Sequence, residues 1–275
     1  MQTRREMLRT GLAALGGIAG AQLLRANPAT ASTVSVPVFG VDSQAFAVIN
    51  SALGGHIPGE RCYSPEGVPA AWPRVPGSVR LVVASIRPNI QKVLSGGYDS
   101  QLRAYAAKIP AGQIVCVWNE GERHNLGYTA KEISAVQAHC YPILKEGSPH
   151  CKVVQVITTY SLLTRGKSLG SYLSPHVDAI YMDSYQLDAG KTVEEDIGAT
   201  ANAIHAAVGS KPLGIAEVNS QVLGSRANWF KAAWALAKAN DYEIFMPFFN
   251  SSATYRWLPH DAATISALRE MVNAQ

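Results

Sequence analysis

Two glutamates of this 275-residue chain occupy positions that suit acid–base chemistry. Glu120 follows the apolar run IVCVW after one asparagine, and Glu217 directly follows the apolar run LGIA. Two carboxyl groups that face each other can take different roles, because burial and mutual repulsion raise the pKa of one above that of the other. Such a pair can break a glycosidic bond: one group donates a proton to the leaving oxygen, and the other attacks the anomeric carbon.

The elements that must position these glutamates are short apolar runs that alternate with helical segments. Continuous apolar runs are typical of strands buried on both faces, and their alternation with helices indicates a parallel sheet. The sequence therefore predicts an α/β fold, a single (β/α)₈ TIM barrel, with a doubly wound open sheet as the disfavoured rival because no glycine-rich phosphate loop follows the first strand. The eight strands are predicted at about 36–41, 56–63, 79–86, 113–118, 152–158, 177–182, 212–216 and 242–249.

In a (β/α)₈ barrel the active site lies at the C-terminal ends of the strands. Glu120 follows the fourth predicted strand and Glu217 the seventh, so we expect their carboxylates to face each other across the barrel mouth. Three more charged residues, Asp42, Arg87 and Asp183, follow the first, third and sixth strands and are candidates for substrate contact.

Aromatic side chains near the strand ends are candidate platforms for sugar rings, with core packing as the alternative for each and the favoured one for Phe249. They are Trp118, Tyr160, Tyr185, Phe249 and Trp257. The acidic residue two positions beyond Glu120, Glu122, is interpreted as a solvated loop charge.

An Asn-Glu pair after the fourth strand, followed by a glutamate at the seventh, resembles the pattern of clan A glycoside hydrolases, which include β-mannanases, cellulases and xylanases. The resemblance implies a retaining mechanism, with Glu120 as acid/base and Glu217 as nucleophile. It also implies that Asn119 binds the sugar 2-hydroxyl, that Arg61 keeps the nucleophile ionised and that Tyr185 donates a hydrogen bond to it. A barrel that binds carbohydrate without cleaving it is the alternative function.

Residues 1–31 are predicted to form an export signal peptide, which leaves 32–275 as the barrel domain. Adjacent arginines, Arg4 and Arg5, precede an uncharged apolar stretch and a small-x-small site, ATA at 29–31. The arginine pair resembles that of the twin-arginine route, with a Sec signal or an uncleaved leader as alternatives. We therefore expect a secreted or periplasmic protein. No other segment is long and apolar enough to span a bilayer, so no membrane association is expected after cleavage.

The composition restricts the partners. Hydrophobic residues make up 47% of the chain and charged residues 16%, which is typical of a packed globular protein. Most of the net charge of +4 lies in the leader, so nothing indicates a nucleic-acid partner. No metal or cofactor is predicted, because no Cys-x-x-Cys pair or Cys/His cluster occurs. We expect a monomer acting on a polysaccharide or oligosaccharide. Cys116 should be a buried thiol. For Cys140 and Cys151 the sequence allows both a disulfide and two free thiols.

Overall fold

The computed structural model describes residues 38–41, 43–64, 66–123, 126–161, 169–251, 258–259 and 261–274. Its centre is a closed barrel of eight parallel strands, in which each strand pairs with its neighbours in sequence and the first pairs with the last. The strands are β1 Val38–Val41, β2 Gly59–Ser64, β3 Leu81–Ile86, β4 Ile114–Val117, β5 Lys152–Thr158, β6 Ala179–Gln186, β7 Leu213–Ser220 and β8 Phe245–Phe249. The predicted (β/α)₈ fold is confirmed.

Helices connect most of these strands. The α-helices with complete bounds in the described residues are α1 Ser43–Ala52, α2 Ile90–Leu94, α3 Asp99–Ala106, α4 Ala130–Gly147, α5 Ala199–Val208, α6 Arg226–Ala239 and α7 Ala262–Asn273. A π-helical turn, Glu194–Gly198, precedes α5, and 3₁₀ turns lie at Leu169–Ser171 and Leu223–Ser225. The described residues 66–80, between β2 and β3, contain no helix.

Side chains on the strands alternate between two cores, as the period of a β-strand requires. One set fills the barrel interior: Val83, Ile114, Cys116, Val154, Val156, Ala179, Tyr181, Ala216, Ile244 and Met246. The other set packs in one core with helix side chains, among them Trp229 and Trp234 of α6. Apolar side chains fill the interior below the mouth, and the polar side chains that line the cavity lie at the C-terminal ends of the strands.

Helix α4 begins with a capping box. The hydroxyl of Thr129 accepts a hydrogen bond from the backbone N–H of Glu132, and the Glu132 carboxylate accepts one from the backbone N–H of Thr129. This capping box satisfies two of the N–H groups that have no partner within the helix. It also fixes where the chain turns after the loop that carries Glu120.

Free thiols account for all four cysteines, and Cys116 is buried in the barrel interior as predicted. Cys140 and Cys151 are both buried and unbonded, so no disulfide closes the segment between them. Among the described helices, none has the length and apolar content that would let it cross a bilayer. Within the same residues, no group of three or more His, Cys, Asp or Glu side chains is placed to hold a metal ion.

Candidate active site

A cavity of about 660 Å³ opens at the C-terminal ends of the strands and contains both glutamates. This volume is within the range of sites that bind small molecules. Of the residues predicted at the mouth, it brings together Arg87, Asn119, Glu120, Tyr160, Tyr185 and Glu217. The remaining lining residues are Tyr63, Ser64, Ser85, Arg123, Thr158, Ser161, Leu187, Gln221, Phe248 and Asn250.

Glu217 reaches the cavity because β7 contains a β-bulge. Strand β6 pairs Met182 with Ile215 but then pairs Asp183 with Glu217, so Ala216 is an extra residue on β7. Ala216 points into the barrel interior, and the next side chain, Glu217, also points inward. In a regular strand, consecutive side chains point to opposite faces. The bulge therefore turns Glu217 toward the cavity, as bulges beside active sites often do.

Three hydrogen-bond donors hold the Glu217 carboxylate. Oε1 accepts from Arg61 Nη1 at 2.8 Å and from the Tyr63 hydroxyl at 2.6 Å, and Oε2 accepts from the Tyr185 hydroxyl. Donors directed at both oxygens stabilise the ionised form of a carboxylate. Only 6% of Glu217 is exposed, so its geometry is set by these partners rather than by solvent.

Arg61 is completely buried beneath the cavity. Its Nη1 also donates to Asp183 Oδ1 at 3.3 Å, and its Nε donates to the Ser85 hydroxyl at 3.0 Å. Burial alone would lower the pKa of Arg61, but the neighbouring Tyr63, Glu217 and Asp183 raise it well above its usual value. Arg61 is therefore a permanent cation placed against Glu217.

Asp183 does not contact the cavity, contrary to the prediction. It is completely buried on β6 and accepts a hydrogen bond from Arg61, while its Oδ2 has no hydrogen-bond partner among the described residues. Burial, and then the charge of Glu217, raises the pKa of Asp183 well above its usual value. Since Asp183 lies within β6 rather than after it, Arg61 separates it from the mouth. The structure makes it a partner of Arg61.

Glu120 lies in the turn after β4 and is 9% exposed. Its backbone has φ +53°, an uncommon conformation for a residue other than glycine and one that is found at functional sites. Oε2 accepts a hydrogen bond from Arg123 Nη1 at 2.7 Å and lies 3.9 Å from Arg87 Nη2. Burial and the charge of Glu217 raise the pKa of Glu120 although Arg123 opposes the shift. Glu120 is thus suited to donate a proton.

Trp118 does not line the cavity, contrary to the prediction. Strand alternation would point it into the barrel, but its φ of +56° breaks the strand, and the indole packs in the layer between strands and helices. Its N–H donates to the Pro88 carbonyl at 2.7 Å, and its ring meets Tyr128 edge-on at 4.9 Å. Only 6% of Trp118 is exposed, so it is a support for the Glu120 turn and not a sugar platform.

Asn119 lines the cavity beside Glu120, as predicted. Its Oδ1 accepts a hydrogen bond from Arg87 Nε at 3.0 Å, and its backbone carbonyl accepts one from Arg87 Nη2 at 3.2 Å. Because Arg87 occupies the amide oxygen, the amide nitrogen of Asn119 is left as the donor that a sugar hydroxyl could accept from. Arg87 thus both lines the cavity and fixes the orientation of Asn119.

Two cavity residues that contact the glutamates were not predicted. Tyr63 could have been predicted from the sequence, because it stands two positions after Arg61 on β2 and must lie on the same face of the strand. Arg123 lies in the loop beyond Glu120, where no periodicity predicts a contact. Glu122, expected to be solvated, is instead buried and accepts a hydrogen bond from the backbone N–H of Thr158.

Two predicted contact residues, Asp42 and Trp257, lie outside the residues that the structure describes. Of the aromatic candidates, Tyr160 and Tyr185 line the cavity. Phe249 is fully buried and packs against Phe230, which is the core role favoured for it. The apolar ring in the cavity is its neighbour Phe248, which meets both Tyr63 and Tyr185 edge-on.

Known structures share this architecture. A GH128 endo-β-1,3-glucanase from Amycolatopsis mediterranei, a mutant in complex with laminarihexaose, superposes with TM-score 0.58 at 12% identity over 86% of this chain and 99% of its own. A GH26 β-mannanase from Bacteroides ovatus gives 0.58 at 9% identity, covering 87% and 88%. The endoglucanase Cel5A from Thermotoga maritima gives 0.53 at 11%, covering 82% and 89%.

The likeness is one of fold. No protein-family model matches the chain, and no curated protein matches its sequence. At identities of 12% or below, the alignments do not transfer residue roles, so those roles must be argued from the geometry of the cavity itself.

Proposed function

We propose that the protein is a retaining glycoside hydrolase of the clan A type, with Glu120 as acid/base and Glu217 as nucleophile. The observation that carries the proposal is the difference between two carboxylates in one cavity. Glu217 accepts hydrogen bonds from three donors, one of which is the cation Arg61. Glu120 is buried, and its pKa is raised. A glycosidase needs this division, since one group must attack while the other is still protonated.

In the first step, Glu217 attacks the anomeric carbon, and the Glu120 proton passes to the oxygen of the departing sugar. The bond between the anomeric carbon and that oxygen breaks, and a glycosyl ester forms on Glu217. Once Glu217 is esterified, its negative charge is gone. That charge raises the pKa of Glu120, so its loss lowers the pKa. Glu120 is then a carboxylate that can act as a base.

In the second step, Glu120 takes a proton from a water molecule, which attacks the anomeric carbon and releases Glu217. Two inversions leave the configuration of the product equal to that of the substrate. Arg61, Tyr63 and Tyr185 stabilise the returning negative charge on Glu217 with hydrogen bonds that are already in place.

A β-linked glucan or mannan is the first substrate to test. Support comes from the fold neighbours, which include a β-1,3-glucanase, a β-mannanase and an endoglucanase. The cavity also offers apolar and aromatic surface, from Tyr160, Leu187 and Phe248, on which the flat faces of sugar rings can pack. The arginine pair in the leader supports an exported protein, so we propose a polysaccharide outside the cytoplasm as the natural substrate.

The test is the release of reducing ends from β-1,3-glucan, β-1,4-glucan, mannan, xylan and galactan. Wild-type protein is compared with Glu120→Gln, Glu217→Gln and the control Glu270→Gln, which changes an exposed glutamate of α7. We expect one or more polymers to be cleaved, a loss of at least about a hundredfold in both cavity variants, and full activity in the control.

The outcome that would overturn the proposal is a folded wild-type protein that binds a polymer without releasing sugar from it. That result would assign the barrel to carbohydrate binding without cleavage. Equal activity in wild type and in either cavity variant would remove that glutamate from the reaction.

A further inference from the structure

Two arginines, Arg87 and Arg123, stand beside Glu120 with N–H groups that no described residue uses. We propose that they bind an anionic substituent, a carboxylate or a sulfate ester, on the sugar unit that lies next to Glu120. The inference rests on the proposed function of the same cavity, and it names the class of substrate: an acidic glycan rather than a neutral one.

Arg123 uses only one of its three nitrogens to donate a hydrogen bond to the described residues. Its Nη1 donates to Glu120, whereas its Nε and Nη2 have no hydrogen-bond partner among the described residues. The side chain is 46% exposed and lines the cavity. Arg123 therefore has N–H groups that its contact with Glu120 does not use.

Arg87, the residue after β3, approaches the same oxygen. Its Nε and Nη2 are taken by Asn119, which fixes the guanidinium, and Nη1 has no partner in the described part of the chain. Nη2 lies 3.9 Å from Glu120 Oε2, the atom that Arg123 binds at 2.7 Å. The two guanidinium groups therefore converge around one carboxylate oxygen, with the side chain of Arg87 31% exposed.

The other acidic residues around the cavity do not supply the anion that Arg87 and Arg123 could bind. Glu217 has its own cation in Arg61, at 2.8 Å. Glu122 acts on Arg123 through its charge, but it is buried and accepts a hydrogen bond from the backbone of Thr158. When Glu120 is protonated, as its role as an acid requires, both flanking arginines lose the negative charge between them.

Guanidinium groups match planar and tetrahedral oxyanions, because two parallel N–H groups can bind two oxygens at once. A neutral sugar in the same place would remove water from two cations and return only hydroxyl contacts, which is unfavourable. An anionic substituent restores the charge that Glu120 gives up on protonation. The pair would thus select an acidic unit and hold it next to the proton donor.

The test compares sugars that differ only in charge. The full-length protein is given β-1,3-glucan, β-1,4-glucan and β-1,4-mannan oligosaccharides in three forms: unmodified, oxidised to the carboxylate at C6, and sulfated at C6. Cleavage is followed as kcat/KM, and binding is followed by titration calorimetry in parallel. The variants are Arg87→Gln, Arg123→Gln and the control Arg103→Gln, an exposed arginine of α3 outside the cavity.

We expect an acidic form to be preferred over its neutral parent by about tenfold or more, and the better of the two acidic forms identifies the anion. That preference should fall by about tenfold in Arg87→Gln and Arg123→Gln and stay unchanged in Arg103→Gln. The ratio is the decisive quantity, since a loss of Glu120 positioning would lower the kcat/KM of both substrates equally.

The inference is overturned if the neutral oligosaccharide binds and reacts as well as both acidic forms, or if Arg123→Gln keeps the wild-type ratio. Cleavage of neutral glycans with no charge preference would leave the proposed hydrolase intact and remove only this inference. Binding of an acidic oligosaccharide that depends on both arginines, without cleavage, would support the anion site and contradict the hydrolase.

Discussion

Tyr63 is the contact to Glu217 that the sequence did not predict. It donates to the same oxygen as Arg61, and the Arg61 guanidinium lies 4.8 Å from the centre of its ring. Because Tyr63 is 39% exposed, its main structural role is this hydrogen bond rather than core packing. Loss of the Tyr63 hydroxyl should therefore lower activity and also reduce stability.

Replacing Tyr63 by phenylalanine should lower kcat/KM about tenfold, because one of three hydrogen bonds to the nucleophile is lost and a hydrogen bond to a charged group is worth roughly 1.5–3 kcal/mol. The free energy of unfolding should fall by about 0.5–1.5 kcal/mol, because the buried Glu217 carboxylate loses one of its donors. Kinetics on the cleaved polymer and urea unfolding provide the two numbers. Tyr98→Phe, outside the cavity, is the control, and equal activity of both variants would contradict the assigned contact.

The ionisation of Glu120 leads to a pH prediction. Burial and Glu217 raise the pKa of Glu120, while Arg123 lowers it. A general acid must be protonated, so kcat/KM falls as the pH rises through that pKa. Removing the cation in Arg123→Gln should raise the pKa further and move the alkaline limb of the pH profile upward.

The measurement is kcat/KM across pH 4–9 for wild type, Arg123→Gln and the control Arg103→Gln. An alkaline limb that stays in place, or moves to lower pH, in Arg123→Gln would show that Arg123 does not act on the proton donor.

The resemblance to clan A glycoside hydrolases indicated Asn119, Arg61 and Tyr185, whereas residue types and strand positions were enough to find Glu120 and Glu217. They were not enough for Trp118, because one positive φ turned a side chain that strand alternation would have sent inward. Contacts made by loop residues, such as that of Arg123, depend on the path of the chain after a strand and leave no periodic signal in the sequence.

Strand β7 carries the geometry on which the site depends. Gly214 and Ala216 lie on the inward face, and the extra residue at Ala216 turns Glu217 inward as well. Strict alternation would place Glu217 outward, opposite to its observed direction. The sequence placed Glu217 just beyond a strand end, whereas the structure has β7 continue to Ser220. A bulge in a parallel strand pair is rare and has no clear marker in these residues.

Gly214 is required by close packing inside the barrel. A Cβ at this position would lie 2.7 Å from Tyr181 Cδ1 and 2.8 Å from Ile244 Cγ1, both in the interior core. Gly214→Ala should therefore destabilise the fold by about 1–3 kcal/mol. Gly77→Ala, where a Cβ has nothing within 4 Å, is the control and should be neutral or slightly stabilising.

Urea unfolding of the two alanine variants measures both effects. If Gly214→Ala is as stable as Gly77→Ala, the interior at β7 is less tightly packed than the structure indicates.

At the scale of the whole molecule, one buried cation links three strands of the barrel. Arg61 of β2 contacts Asp183 of β6 and Glu217 of β7. The pKa of Asp183 is raised in the folded protein, so the folded state binds more protons than the unfolded chain. Stability from this group is complete below the unfolded pKa of about 3.9 and is lost as pH rises toward the folded pKa.

Asp183→Asn should remove that loss, because an amide does not ionise. Between the two pKa values the wild-type slope from this group is about 1.4 kcal/mol per pH unit. We expect similar stability of the two proteins near pH 4 and a more stable variant at pH 7, measured by urea unfolding at both pH values. Asp188→Asn, a surface substitution, serves as control. A variant that is less stable than wild type at pH 7 would contradict the raised pKa of Asp183.

The overall fold was predictable because it depends on average properties of long segments. Apolar runs such as LVVASI of β3 and KVVQVIT of β5, each between helical patterns, repeat often enough to indicate a parallel barrel. The site depends on single backbone angles and on one extra residue in β7. Such local features cannot be read from the average properties of a segment. The export signal at residues 1–31 stays a prediction, since the described residues begin at Val38.

We propose that Glu217 attacks the sugar, and that Glu120 gives a proton to the leaving oxygen and then takes one from the attacking water. The most direct measurement is ¹H NMR of the anomeric protons in the first minutes of cleavage of a β-linked oligosaccharide. We expect the β-anomer of the new reducing end to appear first, with the α-anomer growing only by mutarotation. If the α-anomer appears first, water attacks the anomeric carbon directly, and the assignment of Glu217 as nucleophile is contradicted.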